Sequence, residues 1–176
     1  MTNSDKTRDL DPVLVNRVLW KIPNVLCLIG SRAEATWNAM TASWVTQLSM
    51  DPVLIGVSID VTAVTNRLVR EGGAFSVNLW DRSDTRPFVK FSKPALFDDM
   101  TLNGRPIRQG ESGVPIFTEA AAWIECDLFH TVPLGTHDLF VGEVIDVGIG
   151  SRGDEVPVAR MEDTRMKYGG VRRGAH

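Results

Sequence analysis

Short apolar runs separated by turn residues dominate the chain, and few stretches carry helical spacing. Asp11-Pro12 opens "PVLVNRVLW": Asp is a suitable N-cap, Pro suits the first helical position, and Val15, Val18 and Leu19 fall on a face expected to point inward. "NVLCLIG" reads as a strand ending at glycine and "SRAEATW" as a turn. "NAMTASWVTQLS" and "VLIGVSID" read as successive strands parted by Asp51-Pro52, because proline cannot donate to a ladder. "TNRLVREG" predicts a short helix capped by the Thr65 hydroxyl and stopped by glycine. "AFSVNLW" alternates, with Phe75, Val77 and Leu79 on one face and Ser76 and Asn78 on the other.

Residues 81–100 read as helix or loop anchored by Phe88, Phe91 and Phe97, and Asn103-Gly104 marks a tight turn. "AAAWIECDLFHTV" and "HDLFVGEVIDVGIG" form a predicted hairpin closed by "PLGT", and "VPVAR" reads as a last strand. Many strands, few helices and no βαβ alternation predict a mainly β fold, a barrel with short flanking helices. The expected organisation is a flexible arm over residues 1–10 and one domain over residues 11–176, with a Gly/Arg-rich end.

Composition narrows the function classes. At 176 residues the chain suits one domain with a real core, and a net charge of −3 without a basic stripe argues against nucleic acid. No apolar run approaches the roughly 20 residues of a membrane span, and the polar N-terminus carries no export-type apolar segment. Cys27 and Cys126, far apart in apolar stretches, read as buried free thiols of a reducing compartment, the cytoplasm.

No dinucleotide-binding glycine motif, phosphate-binding P-loop or nucleophile elbow occurs. His130 and His137 stand seven apart, an odd separation that puts them on opposite strand faces, so no metal site is expected. "WNAMTASWVTQLSMDP" stands out because Asn38, Met40, Thr41, Ser43 and Trp44 crowd together and neither strand face is uniformly apolar. It is either an exposed strand with β-favouring residues or one wall of a site. The second reading needs another polar cluster, and "SIDVTAVTN" supplies one, bringing Ser58, Asp60, Thr62 and Thr65 to a helix N-terminus that is a natural anion seat. Thr65 taken alone reads first as a plain N-cap.

The ordered segments "NAMTASW", "SMDP", "VSI" and "FSVN", followed by "GTHDLFVGEV" and "KYGGVR", resemble the flavin reductase family of FMN-binding split-barrel proteins, over roughly residues 20–170. The resemblance implies a closed Greek-key split β-barrel, a homodimer with flavin near the subunit interface, and FMN (or FAD) as cofactor. It implies NADH or NADPH as hydride donor, with transfer from nicotinamide C4 to flavin N5, and a separate monooxygenase as a user of the reduced flavin. By the same resemblance, Asn38, Met40, Thr41 and Ser43 line the flavin ring and ribityl chain, and Val57, Ser58 and Ile59 flank them. Thr62 and Thr65 hold the phosphate, and His137 sits over the flavin face as the catalytic residue. Trp44 belongs to the same wall, in the core, at a dimer interface or at the dimethylbenzene edge. The "DVTAV" loop lacks the cation that many relatives carry, which leaves phosphate binding to hydroxyls and the helix end. The alternatives are an FMN-containing, flavoredoxin-like electron carrier with another acceptor, and a flavin-free split-barrel binding module.

Overall fold

The computed structural model describes residues 10–164. The "KYGGVR" segment, the Gly/Arg-rich end and residues 1–9 of the expected arm lie outside the described residues. The predicted mainly β character holds. Helix α1 (Pro12–Leu19) leads into β1 (Cys27–Ala33), β2 (Thr36–Ala42), β3 (Val45–Met50) and β4 (Val53–Asp60). Helix α2 (Val64–Gly72), β5 (Ala74–Leu79) and α3 (Arg86–Lys90) follow. Four short strands come next, β6 (Phe97–Asp98), β7 (Thr101–Leu102), β8 (Arg105–Gln109) and β9 (Pro115–Phe117), before the long hairpin β10 (Ala122–Pro133) and β11 (His137–Ile149).

Seven antiparallel strands make the main sheet, in the order β2-β1-β5-β10-β11-β4-β3, and β6 to β9 form a second sheet. β2 and β3 are the two edges of the main sheet. They follow one another in the chain through Ser43-Trp44, and among the described residues no hydrogen-bonded ladder joins them. The expected single run across residues 38–49 is therefore broken at Ser43, where the chain crosses from one edge to the other.

Alternation along β1 sends Leu28 into one apolar cluster, with Trp80, Phe88, Phe91 and Phe117, and Cys27 and Ile29 into another, with Val57, Ile59, Phe75 and Phe140. β5 keeps its predicted alternation, but its polar face is buried rather than wet. Ser76 Oγ donates to the Pro115 carbonyl at 2.6 Å, and Asn78 Oδ1 accepts from Phe117 N at 2.9 Å. These bonds dock β9 on the main sheet. A Cβ at Gly30 would run into Ser76 Oγ and the Pro115 carbonyl, so the docking needs a residue without a side chain there.

Several expectations are corrected. α1 starts as predicted, with Asp11 Oδ1 accepting from Val13 N at 2.9 Å, but none of its residues is buried; the strands fill the core from both faces, and the apolar face of α1 stays at the surface. Phe97 is exposed and stacks on Trp37 at 5.3 Å instead of anchoring the core. "SRAEATW" is mostly strand, turning only at Glu34-Ala35, and "VPVAR" makes two isolated bridges, Asp81 to Val158 and Val25 to Arg160, rather than a strand.

A polar brace ties α2 to the start of β11. Buried Asp138 accepts from Asn66 Nδ2 at 2.8 Å and pairs with Arg70 at 2.7 Å, while Asn66 Nδ2 also reaches the Ile59 carbonyl at 3.2 Å. The Arg70 hydrogen bond, then that of Asn66, holds the Asp138 carboxyl below its ordinary range. A carboxyl depressed in this way stabilises the fold above its unfolded value and loses that contribution as pH falls through the folded one. Asp138→Asn is therefore expected to be less stable than the parent above about pH 5, with the gap narrowing below about pH 4. Urea midpoints measured from pH 7 to pH 3 check this; a gap that stays constant with pH would remove the carboxylate charge from the account.

Candidate functional site

Two adjoining cavities lie where the main sheet changes edge. The first, of about 370 Å³, is lined by Asn38, Met40 and Thr41 near the end of β2 and by Ser43 just after it, by Asp60 and residues 62–65, and by residues 91–94 at the end of α3 and after it. The structure thus brings together six of the residues singled out from the sequence: Asn38, Met40, Thr41, Ser43, Thr62 and Thr65.

Asn38 organises this cavity. It is 3% exposed, and both ends of its amide are engaged: Nδ2 donates to Thr65 Oγ1 at 2.9 Å, and Oδ1 accepts from Ala95 N at 2.7 Å. β2, α2 and the loop after α3 meet at this one side chain. Thr41 adds a second tie to that loop, its amide donating to the Phe91 carbonyl at 2.9 Å and its hydroxyl to the Phe88 carbonyl at 2.7 Å.

The expected Thr65 cap is not formed. The N-cap of α2 is Ala63, which supplies no capping side chain, and Thr65 is fully buried one position inside the helix. The uncapped, positive end of α2 therefore abuts the cavity. Thr62 is held by Asp60, whose Oδ1 accepts both the Thr62 amide at 2.8 Å and the Thr62 hydroxyl at 2.7 Å. The Thr62 proton thus points at a carboxylate, which leaves donation to an anion to the first-turn amides and to Lys93. Lys93 is the residue that sequence reasoning missed. It is the only Lys or Arg in the lining of this cavity among the described residues, where the "DVTAV" loop itself supplies no cation. Its signal, a lysine in "FSKP", is a single loop residue; only the Thr41 and Asn38 bonds to that loop bring it to the cavity.

The second cavity, of about 450 Å³, shares Ser43 and Met161 with the first and includes Trp44 and Ser58. Ser58 N donates to the Trp44 carbonyl at 3.0 Å, continuing the β3–β4 pairing. Val57 and Ile59, expected beside the flavin, turn their side chains to the opposite face of β4. They are 0% and 1% exposed in the core and line neither cavity. His137, half-buried at the start of β11, pairs with Asp60 across the ladder, and its ring lies 4.9 Å from that of Trp44. Its Nδ1 is 3.0 Å from Thr136 Oγ1. His137 lines neither cavity; Trp44 stands between it and the second one.

The donor set fits a phosphorylated planar ligand. The uncapped end of α2 and Lys93 both line the first cavity, and the end of β2 with Ser43 (Met40 to Ser43) gives it an extended wall.

Comparison with known proteins agrees with this geometry. The family model described as "Flavin reductase like domain" matches residues 19–170. A ferric-chelate reductase (NAD(P)H) from Archaeoglobus fulgidus is 31% identical over 134 residues, covering 74% of this chain and 78% of the relative. The NADH-dependent flavin reductase StyB of Pseudomonas fluorescens is 29% identical over 124 residues, covering 70% of each. Among solved structures, the FMN-binding protein from Thermus thermophilus with bound p-hydroxybenzaldehyde superposes with a TM-score of 0.71 at 29% identity, over 89% of this chain and 86% of that one. With the match running through β2, the uncapped end of α2 and the start of β11, this chain belongs to the flavin reductase like domain family.

Proposed function

We propose that the protein is an NAD(P)H-dependent flavin reductase that binds FMN in the first cavity and passes reduced flavin to a separate monooxygenase. The observation that carries this reading is the pairing, in one cavity, of an anion seat with a strand wall long enough for a ring. The chemistry a bound flavin supplies is acceptance of a hydride at N5 from nicotinamide C4, so the protein's work is orientation and electrostatics. Lys93 and the α2 end hold the phosphate, with the negative charge of FMN matched by the lysine and by the helix dipole. Asn38, its own hydrogen bonds satisfied, keeps the anion seat at a set distance from the Met40–Ser43 wall. Ser43, where the two cavities meet, faces the ring. His137 orients the nicotinamide through the Trp44 side, and no general acid or base is required.

The fold reading that accompanies this function is a closed Greek-key split barrel whose seam is the β2–β3 edge. A cytoplasmic location fits the buried thiols of Cys27 and Cys126, both pushed up to about 12 by burial and so kept as inert thiols. A homodimer is the reading of the exposed apolar residues Phe129, Ile145, Val147 and Ile149 on the long hairpin, together with Leu48, Met50 and Val53 on β3 and β4. Sedimentation equilibrium is expected to give twice the protomer mass, and a single-protomer mass at micromolar concentration would remove the dimer.

The activity test is visible absorption of the purified protein with FMN, followed by NADH or NADPH; bleaching of the flavin band is the expected result, and an unchanged band would remove the reductase. Lys93→Ala is expected to weaken FMN about tenfold, or about 1.4 kcal/mol, while leaving riboflavin, which has no phosphate, unaffected. Equal weakening of both flavins would separate Lys93 from the phosphate. His137→Ala is expected to lower NAD(P)H turnover more than FMN affinity; steady-state kinetics and flavin titration on the same variant check it, and parental turnover would exclude His137 from the reaction.

A further inference from the structure

Asn103-Gly104 turns the chain from β7 to β8, and the function proposed above makes no use of it. Leu102 pairs with Arg105 across the turn, and Asn103 and Gly104 stand at φ 50° and 74°. This is a two-residue hairpin loop with both residues left-handed, for which Asn-Gly is a favoured pair. A glycine makes the same turn with less strain, because it lacks the Cβ that positive φ crowds. The turn therefore explains a residue that tolerates positive φ. It does not explain an amide side chain.

That side chain is engaged elsewhere. Asn103 Oδ1 accepts from Leu96 N at 3.0 Å, and Asn103 Nδ2 donates to the Lys90 carbonyl at 3.4 Å. The Asn103 amide adds a bond to the Leu96 carbonyl at 2.9 Å. One residue thus binds the chain at Lys90, the last residue of α3, and again at Leu96, and closes a loop with Lys93 at its middle. From the other side the same loop is held by β2, where the Thr41 amide donates to the Phe91 carbonyl and Asn38 Oδ1 accepts from Ala95 N. Asn38 and Thr41 line the first cavity, whereas Asn103 lines neither cavity. A lysine side chain loses much rotamer freedom when it is fixed, so where its ammonium acts depends on how firmly its backbone is held.

We infer that Asn103 is a positioning residue for Lys93: it clamps the loop from behind, so that the ammonium stays at the first cavity and meets the phosphate of the bound flavin. The phosphate rests on the function proposed above; the clamp does not. The clamp then shows itself as selectivity. Only a flavin that carries a phosphate uses Lys93, so loss of the clamp weakens FMN and spares riboflavin. A residue that merely stabilised the hairpin would change both alike.

Asn103→Gly keeps the turn and removes the clamp. In titrations of the purified protein followed by flavin fluorescence, this variant is expected to bind FMN about fivefold more weakly and riboflavin within about twofold of the parent. In a Lys93→Ala background the same substitution is expected to change FMN affinity less than about twofold, because the group it acts through is gone. Hydrogen exchange gives a readout that needs no flavin. The Ala95 amide, bonded to Asn38 and not to Asn103, is expected to exchange at least about tenfold faster in Asn103→Gly. Asn103→Ser, too short to reach both Lys90 and Leu96, replaces the glycine variant if that one shows no folded state in its melting curve. Equal weakening of the two flavins, an undiminished loss in the Lys93→Ala background, or parental exchange at Ala95 each overturns the inference. A parent that binds FMN no better than riboflavin overturns it as well, since Lys93 then meets no phosphate. Selectivity lost as expected, with a bound flavin that NADH and NADPH leave unbleached, sinks the reductase function and supports the clamp. Parental bleaching with an unaltered ratio of FMN to riboflavin affinity does the reverse.

Discussion

One buried amide sets the geometry on which the site depends. Asn38 lies in the sheet with almost no exposure, and its two hydrogen bonds reach Thr65 in α2 and Ala95 in the loop after α3. Each bond contributes on the order of 1 kcal/mol net, but leaving either group of a buried amide unpaired costs about 1–3 kcal/mol. The two elements are therefore held to β2 by the cost of letting go. Because both elements also line the first cavity, the same amide that stabilises the packing sets the α2 end and the Lys93 loop against β2 there.

A related logic runs through the rest of the sheet. Ser76 and Asn78 occupy the face of β5 that looks polar in sequence, yet they are fully buried because β9 brings backbone groups to them. Glu125, also 0% exposed, accepts from the amides of Glu111 and Ser112 and so pins the turn that leads into β9. Asp138, Asn66 and Arg70 fasten the far side of α2 to β11, one residue from His137. Satisfied buried polar groups thus hold the helix and the second sheet in register with the main sheet, while apolar clusters supply the bulk of the stabilisation.

Some of this was legible from residue patterns. Asp11-Pro12 begins α1, Asn103-Gly104 turns with both residues at positive φ, and the β10–β11 hairpin closes through "PLGT" with Gly135 at φ 86°. These are local signals, decided by side chain and backbone within a few residues. The grouping of Asn38, Met40, Thr41 and Ser43 with Thr62 and Thr65 was also readable, from polar clusters followed by a helix start. What failed depended on distant neighbours. The helical face of α1 has the spacing of a core helix but no core to enter, Thr65 has the look of a cap but serves Asn38, and Val57 and Ile59 alternate away from the cavities that Ser58 reaches.

By itself the sequence determined that the chain makes many antiparallel strands with short helices, where most of the tight turns fall, and which stretch near residues 37–52 is too polar for plain core. Those features follow from alternation, from proline and glycine, and from hydroxyl and amide side chains acting over one or two turns of chain. Only the tertiary structure decided that the sheet runs edge to edge through Ser43-Trp44, that Lys93 joins a cavity some 50 residues from Thr41 in sequence, and that α1 walls a second cavity instead of entering the core. The reason is that a lysine in a loop or an apolar helix face is compatible with many environments. Its role is fixed by which buried hydrogen bonds and apolar clusters elsewhere in the chain must be satisfied first.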